Sequence, residues 1–462
     1  MKDMTQGSVT KHLLQMSAFL FVSMLVQTLY LLADLYWVGS LGKEAIAAVG
    51  LSSTLMMVVL AVTQTLGVGT TTVISHAAGQ KDQARAELVF NQSFVLSMLV
   101  GLALSICAFL LRDWYGRSLS ADAPTAALTK SYLSWFIPAL MLQFPLVALG
   151  SALRATGIVK PAVAVQVLSV LLNIALAPLF IFGLGPVPRL GVAGAALATF
   201  LSVLVANVLL AAYYVRSYRY LRFRFSLLGP QIKIWWAMLK VGLPAGAEFA
   251  LMSVYIVLVY AIIRRFGAEA QAGFGVGARV MQAMFLPTMA LSFAVGPVVG
   301  QNFGGRRADR VRSSFYSALG ISTVLMVLLT LIAQIAPALL IRAFSKDPGV
   351  IAFGGDYLRI ISFNFVAVGI AFTTSSVFQG IGNTVPPLVS SMTRLLLFAL
   401  PAVVLSHRPD FQIRYVWYLS VVSTLFQAVA NLLLIQREFR RKLVFEETPG
   451  LAVASGGAAS IG

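Results

Sequence analysis

Four ionisable side chains interrupt otherwise long apolar stretches of this sequence: Asp34, Glu248, Arg279 and Arg394. A charged group in hydrocarbon is energetically unfavourable, so such residues usually face a protein interior or a water-filled cavity and serve a function. The chemistry open to them is the binding of protons, metal cations or charged solutes. We therefore treat these four residues as candidate functional residues.

Asp34 follows Gln27 by seven residues and Tyr30 by four. These spacings place the three side chains on one face of a helix, where a carboxylate, an amide and a phenol indicate a cavity lining. An apolar environment favours the neutral form of a carboxyl group, which can release its proton when water reaches the cavity. We predict that Asp34 relays protons; the alternative is an aspartate at a helix end that faces water.

Glu248 either contacts a cationic substrate or pairs with Arg279 or Arg394. The two arginines either lock helices together by bonding to carbonyls or acids, or face the cavity and bind an anionic or zwitterionic substrate. Met281 begins a helically spaced stripe of Met and Phe that lines an adaptable pocket or packs in the core. These alternatives stay open at the level of sequence.

Membrane-spanning helices are the elements that must position these residues. The 462 residues are 59% hydrophobic and 11% charged, with a mean hydropathy of +0.87, whereas soluble domains carry about 25% charged residues. A membrane helix needs about 20 consecutive apolar residues. Twelve such stretches are predicted near 13–38, 48–75, 88–111, 131–150, 162–183, 191–214, 235–262, 274–298, 315–341, 357–379, 385–405 and 414–435.

The net charge of +18 is explained by topology. With both termini cytoplasmic, the inside segments hold twenty Lys and Arg and the outside segments twelve, as the positive-inside rule requires. Nucleic-acid binding is therefore not expected.

The sequence lacks the residues that several other classes of protein require. The single cysteine, Cys107, excludes an intramolecular disulfide and a cysteine-cluster metal site. The three histidines have no metal-ligand spacing, and no GxxxxGK[ST] phosphate loop occurs. An intramembrane enzyme would need clustered His and carboxylates, and a channel usually needs a filter ring. We expect neither an enzyme nor a cofactor.

An internal repeat divides the chain. A single offset of 225 in residue number aligns Gly42 with Gly267, Gly79 with Gly304, Arg85 with Arg310, Tyr132 with Tyr357, Gly157 with Gly382 and Pro161 with Pro386. Six spans per repeat start both halves on the same membrane face, so the repeats are parallel and a cavity is expected between them. The predicted units are a six-helix lobe over 1–225, a second over 226–448, and a disordered tail over 449–462.

Eight segments of the chain form a characteristic series. They are ADLYWVGSLG at 33–42, VGTTTVISHAAGQ at 68–80, ALRATGIVKP at 152–161, NIALAPLFIFGLG at 173–185, GVAGAALAT at 191–199, ARVMQAMFLPTMAL at 278–291, VGQNFGG at 299–305 and FQGIGNTVPP at 378–387. In this order and spacing they resemble the multidrug and toxic compound extrusion (MATE) family, in its bacterial DNA-damage-inducible branch. The resemblance covers about residues 12–440.

The resemblance implies an all-α, V-shaped pair of six-helix lobes around a central cavity. It implies export of amphiphilic, often cationic compounds in exchange for H⁺ or Na⁺. The family's coupling acid in the first helix matches Asp34, and its polar residues in the fifth and sixth helices match Asn173 and Thr199. The family's fifth-helix aspartate is replaced by Ala177. This departure favours H⁺ over Na⁺ and leaves at most a Na⁺ site at Asp34 and Asn173.

The expected function is therefore secondary antiport of small molecules by alternating access, in a bacterial inner membrane. The protein is expected to act as a monomer, because an internal repeat needs no second subunit. The alternative is a flippase for a lipid-linked precursor, which fourteen spans and a more cationic cavity would favour.

Overall fold

The computed structural model describes residues 1–120, 122–183 and 188–445, and within them it is helical without β-strands. The predicted tail over 449–462 lies outside the described residues. The helices are α1 (Val9–Gly39), α2 (Lys43–Gly79), α3 (Gln83–Leu119), α4 (Ala123–Ala155), α5 (Lys160–Phe182), α6 (Val192–Arg216), α7 (Ile232–Ile263), α8 (Ala268–Gly304), α9 (Ala308–Ile335), α10 (Pro337–Arg342), α11 (Pro348–Ile361), α12 (Phe365–Ile381), α13 (Val385–Ser406) and α14 (Ile413–Lys442).

Twelve helical segments in the described residues are long and apolar enough to cross a membrane, which confirms the predicted spans. A backbone in hydrocarbon must satisfy its own hydrogen bonds, so each span is helical. The tenth span, Pro348–Ile381, consists of α11 and α12 joined by a 3₁₀ turn over Ser362–Asn364. The ninth ends at Ile335, before the short α10, rather than near residue 341 as predicted.

The backbone confirms the internal repeat. The first residues of α2 and α8 differ by 225 in number, and so do their last residues. Asp122 and Asp347, at the same offset, each accept a hydrogen bond from a backbone N–H at the start of α4 and α11. Three pairs at this offset share a positive φ: Lys81 (59°) with Arg306 (56°), Gly42 (113°) with Gly267 (89°), and Gly157 (75°) with Gly382 (82°).

Apolar clusters hold the helices together. We call residues 1–225 the N-half and residues from 226 the C-half. In the N-half, α2, α3, α4 and α6 pack around Phe144, and α1 packs on α4, α5 and α6 around Val38. In the C-half, α7, α8 and α11–α14 pack around Trp417. A further cluster crosses between the halves, where α1 contacts α8, α9, α12 and α14 near Leu13.

The halves also meet at what we call the N-terminal face, the side of the bundle on which Met1 lies. A Cβ at Gly79 of α2 would overlap the backbone of Gln301 in α8. Thr72 of α2 donates to the carbonyl of Gln379 at 2.9 Å, and His76 Nε2 lies 2.7 Å from the carbonyl of Gly380. Small residues thus permit backbone contact between the halves at this face.

Residues 1–8 run between the two halves at the same face. The Lys2 N–H donates to Thr156 of the N-half at 2.9 Å. Met4 is fully buried, and its N–H donates to Gln301 Oε1 of the C-half at 2.9 Å. The Met4 carbonyl accepts from Asn302 at 3.2 Å and from Arg310 at 3.1 Å. We call this segment the N-terminal clasp.

Candidate functional site

The C-terminal part of α1 positions Asp34 inside the N-half. Val38, one turn further, packs with Ala177 of α5 and with small residues of α6 that let these helices approach closely. Asp34 is consequently 8% exposed, and its Oδ1 has no hydrogen-bond partner among the described residues. A buried carboxyl oxygen without a partner is unfavourable when the group is charged.

Thr199 of α6 connects the polar residues near Asp34. Its Oγ1 lies 3.2 Å from the Ala195 carbonyl, 3.2 Å from Asn173 Nδ2 and 3.1 Å from the Tyr30 hydroxyl. A threonine hydroxyl has one hydrogen, which goes to the carbonyl, and two lone pairs. Asn173 and Tyr30 therefore both donate to Thr199. The structure brings these predicted residues together on α1, α5 and α6.

Tyr132 of α4 is a neighbour of this group that sequence reasoning missed as a site residue. It is buried and packs in the same apolar cluster as Val38 of α1 and Ala177 of α5. In the sequence, Tyr132 was notable only because it aligns with Tyr357 in the internal repeat. Ala177 is fully buried and supplies no side-chain oxygen to the group.

A second polar network lies inside the C-half and contains Glu248 of α7. Ser375 donates to Glu248 Oε2 at 2.7 Å, and Ser391 donates to Oε1 at 3.1 Å. Gln427 of α14 donates to Ser391 at 2.8 Å. Neither Arg279 nor Arg394 forms an ion pair with Glu248 among the described residues, and its carboxylate oxygens accept from the two serines.

Arg394 of α13 joins three helices. Its guanidinium lies 5.1 Å from the centroid of the Tyr255 ring on α7 and donates to Gln427 Oε1 on α14 at 3.3 Å. The Tyr255 hydroxyl in turn pairs with Ser420 of α14 at 2.9 Å. This arrangement fits the interpretation of Arg394 as a residue that locks helices together.

The remaining predicted residues stay outside both networks. Met281 accepts a hydrogen bond on its sulfur from the Tyr357 hydroxyl at 3.1 Å and packs in the C-half core. Gln27 and Arg279 are exposed side chains. In the described part of the chain, no group of three or more His, Cys, Asp or Glu is arranged to hold a metal ion.

Comparison with known proteins assigns the chain to a family. The MatE family profile matches residues 20–179 and 244–405, one segment in each half of the internal repeat. "Probable multidrug resistance protein YpnP" of Bacillus subtilis (strain 168) is 29% identical over 402 residues, which are 86% of this chain and 88% of that protein. The "FAD transporter" of Shewanella oneidensis is 25% identical over 414 residues, covering 89% and 91%.

A solved structure shares the fold. The structure described as "Outward-facing conformation of a multidrug resistance MATE family transporter of the MOP superfamily" has a TM-score of 0.88 and 26% identity, covering 96% of this chain and 98% of that one. Twelve spans, a repeated helical unit and these similarities agree. The chain belongs to the MatE family and is a multi-pass membrane transporter.

Proposed function

We propose that this protein is a secondary antiporter that exports amphiphilic small molecules, cationic drugs among them, in exchange for protons. The observation that carries the proposal is the buried Asp34, whose Oδ1 lacks a partner beside the Tyr30, Asn173 and Thr199 network. A carboxyl in this setting is suited to hold a proton while buried and to release it when water enters.

Protons rather than sodium fit the residues around Asp34. Sodium, a hard cation, needs several oxygen ligands, as other hard cations do. Ala177 provides none, and both lone pairs of the Thr199 hydroxyl already accept from Asn173 and Tyr30. A Na⁺ at Asp34 and Asn173 would require this network to rearrange, whereas a proton would not.

The internal repeat supports transport by alternating access. We infer that the lobes 1–225 and 226–448 rock about their contacts, with the N-terminal face closed by the clasp and by the α2–α8 contact. Both termini would then lie in the cytoplasm of a bacterial cell, and the protein would work as a monomer in the inner membrane. We assign it to the DNA-damage-inducible branch on the sequence segments quoted above.

The names of the relatives support export of drugs, and one names transport of FAD. The family therefore leaves the substrate class open, and the residues of this chain must define it. Twelve spans favour the exporter over a flippase for lipid-linked precursors.

The experiment is export of ethidium, a permanent cation, from proteoliposomes under a pH gradient or a sodium gradient applied separately. We expect the pH gradient to drive uphill movement in the wild type and the sodium gradient to have little effect. Asp34→Asn should abolish uphill movement while the protein elutes as a folded monomer.

Asp113→Asn is the matched control, because it removes a carboxylate that pairs with Lys130 at the opposite face, at 2.9 Å. This variant should transport like the wild type. Uphill transport that persists in Asp34→Asn would refute the assignment of Asp34, and transport driven by sodium alone would refute proton coupling.

A further inference from the structure

A cavity of about 320 Å³ opens on the surface of the C-half, where α13 ends and α14 begins. All of its lining residues come from these two helices and the loop between them, so it does not lie between the halves. A Cβ at Gly382, just before α13, would lie 3.2 Å from His76 at the N-terminal face, and α13 runs from there to Ser406. The cavity is therefore at the opposite face, at the ends of two membrane spans.

The lining of the cavity changes from charged to apolar along α14. Its members include Arg408 and Asp410 in the loop, Tyr415 and Tyr418 in the first two turns of the helix, and Val422 one turn further. A rise of 1.5 Å per residue places Val422 about 14 Å from the start of α14. Tyrosine is enriched at membrane–water interfaces, and aliphatic side chains favour the hydrocarbon. The cavity thus extends from the head-group region of the bilayer into the hydrocarbon.

The two charged residues of the cavity do not neutralise each other. Arg408 and Asp410 are exposed, and neither side chain forms an ion pair or a hydrogen bond with any described residue. At the same face, by contrast, Arg414 donates to both carboxylate oxygens of Asp356 at 2.8 and 2.9 Å. The cavity therefore offers a ligand one positive and one negative group, both without a partner in the described part of the chain.

The aromatic part of the cavity is held in place from behind. Trp417, on the other side of α14, is buried in the C-half core and fixes the rotation of the helix, whereas Tyr415 and Tyr418 are exposed. The Phe411 ring lies 6.3 Å from the Tyr415 ring and 5.7 Å from that of Phe266. These rings give a ligand a preformed wall between the charged loop and the hydrocarbon.

We propose that this cavity binds a phospholipid with a primary ammonium group, phosphatidylethanolamine, from the surrounding leaflet. The planar fork of the Arg408 guanidinium matches the phosphate, and the Asp410 carboxylate accepts hydrogen bonds from the ammonium. Tyr415 and Tyr418 lie beside the glycerol region, and Val422 contacts the acyl chains. The inference goes beyond export, because it concerns a lipid partner and depends on neither the coupling ion nor the exported solute.

The pair of charges also predicts which lipids bind less well. Phosphatidylglycerol carries the phosphate but has no ammonium group for Asp410. Phosphatidylcholine carries both charges, but its quaternary ammonium has no N–H to donate. Both lipids can therefore satisfy Arg408 and leave Asp410 without a hydrogen-bonded partner.

The test measures lipid binding at the cavity itself. Leu425→Cys, in a Cys107→Ser background that removes the only other cysteine, carries a bimane label one turn past Val422 on the exposed side of α14. Lipids with brominated acyl chains quench a label that they contact. Titration of each lipid into the detergent-solubilised protein then gives its apparent affinity, and the three lipids are compared with identical chains.

We expect phosphatidylethanolamine to bind about fivefold more tightly than the other two lipids, the upper range for an exposed ion pair. Asp410→Asn should lower the affinity for phosphatidylethanolamine about fivefold and leave that for phosphatidylglycerol unchanged or higher. Retained binding of phosphatidylglycerol shows that the cavity is intact in this variant. Arg408→Gln should lower the affinity for all three lipids about fivefold.

The matched controls change the same charges elsewhere. Arg342, at the end of α10, is exposed at the same face, and Asp309 is exposed at the N-terminal face. Arg342→Gln and Asp309→Asn should leave the three affinities unchanged. Glycerophosphoethanolamine, the soluble head group without acyl chains, should not displace the brominated lipid.

Three results would overturn the inference. Equal affinities of the three lipids in the wild type would mean that the cavity holds bulk lipid without selection. Equal weakening of phosphatidylethanolamine and phosphatidylglycerol by Asp410→Asn would refute the ammonium contact. Full displacement by glycerophosphoethanolamine would identify a soluble aminophosphate, and not a membrane lipid, as the ligand.

Discussion

At the scale of single residues, Thr199 connects the polar group near Asp34. Its hydroxyl accepts from Asn173 and Tyr30 and donates to Ala195, so one side chain satisfies two donors from two other helices. Loss of an acceptor that serves two buried donors is more damaging than loss of one donor.

Substitution of Thr199 should therefore have a larger effect than substitution of Tyr30. Thr199→Val keeps the shape but leaves the Asn173 amide and the Tyr30 hydroxyl unpaired, at a cost of about 1–3 kcal/mol for each buried group. Tyr30→Phe leaves Thr199 with Asn173 and Ala195 as partners, at a cost of about 1 kcal/mol. Thermal unfolding in detergent measures both, and a Tyr30→Phe protein less stable than Thr199→Val would contradict the assigned donors.

The hydrogen-bond partners of these side chains were the part of the site that the sequence predicted least well. Asp34 and Glu248 could be found from sequence because charges are rare in membrane spans. Asn173 and Thr199 came from the family resemblance. Tyr132, Ser375 and Ser391 could not be found, because their contacts depend on how each helix is rotated against its neighbours, and hydroxyl groups are common in apolar spans.

At the scale of the elements, the contact between α2 and α8 depends on glycine. A Cβ at Gly79 would overlap the Gln301 backbone, whereas a Cβ at Gly320 of α9 meets no atom within 4 Å. The spans predicted at this contact, 48–75 and 274–298, end four to six residues inside the observed α2 and α8. The N-terminal clasp was not predicted, because a short polar segment carries no periodicity that would reveal its partners.

Gly79→Ala should destabilise the protein by about 1–3 kcal/mol, since overpacking forces backbone shifts. Gly320→Ala should be neutral or stabilise by up to about 1 kcal/mol, because alanine is the better helix former in open space. Melting temperatures of the two variants in the same detergent provide the comparison. Equal melting temperatures would contradict this prediction, because the α2–α8 contact would then accommodate an added methyl group without loss of stability.

Deletion of residues 2–7 should open the N-terminal face, because it removes hydrogen bonds to Thr156, Gln301 and Asn302 at once. With Cys107→Ser as background, a cysteine introduced by Thr72→Cys reports access to the space between the halves. Its reaction rate with a membrane-impermeant maleimide should rise at least about tenfold, the change expected for about 1.4 kcal/mol. An unchanged rate would mean that helix contacts alone keep this face closed.

At the scale of the whole molecule, the two halves share a backbone but differ in charge. The two halves share helix ends and positions of positive φ. This repeat was predictable from sequence because Gly and Pro mark specific backbone geometries. The N-half buries Asp34, whereas the C-half holds Glu248, Arg279 and Arg394. One scaffold therefore carries different ionisable residues in its two halves.

Membrane voltage tests the stoichiometry of the proposed exchange. Exchange of one entering proton for one leaving monovalent cation moves no net charge. Each charge that crosses 100 mV contributes about 2.3 kcal/mol, and each pH unit about 1.4 kcal/mol. An inside-negative potential set with valinomycin and potassium should therefore leave the ethidium gradient reached at a fixed pH gradient unchanged. An ethidium gradient that changes with voltage would refute this stoichiometry.

The most direct test of the central claim is the release of protons on addition of ethidium to the detergent-solubilised protein in weak buffer with a pH indicator. If Asp34 exchanges a proton for substrate, the wild type releases protons in proportion to the bound ethidium, and Asp34→Asn binds ethidium without releasing them. Equal proton release from the two proteins would contradict the account.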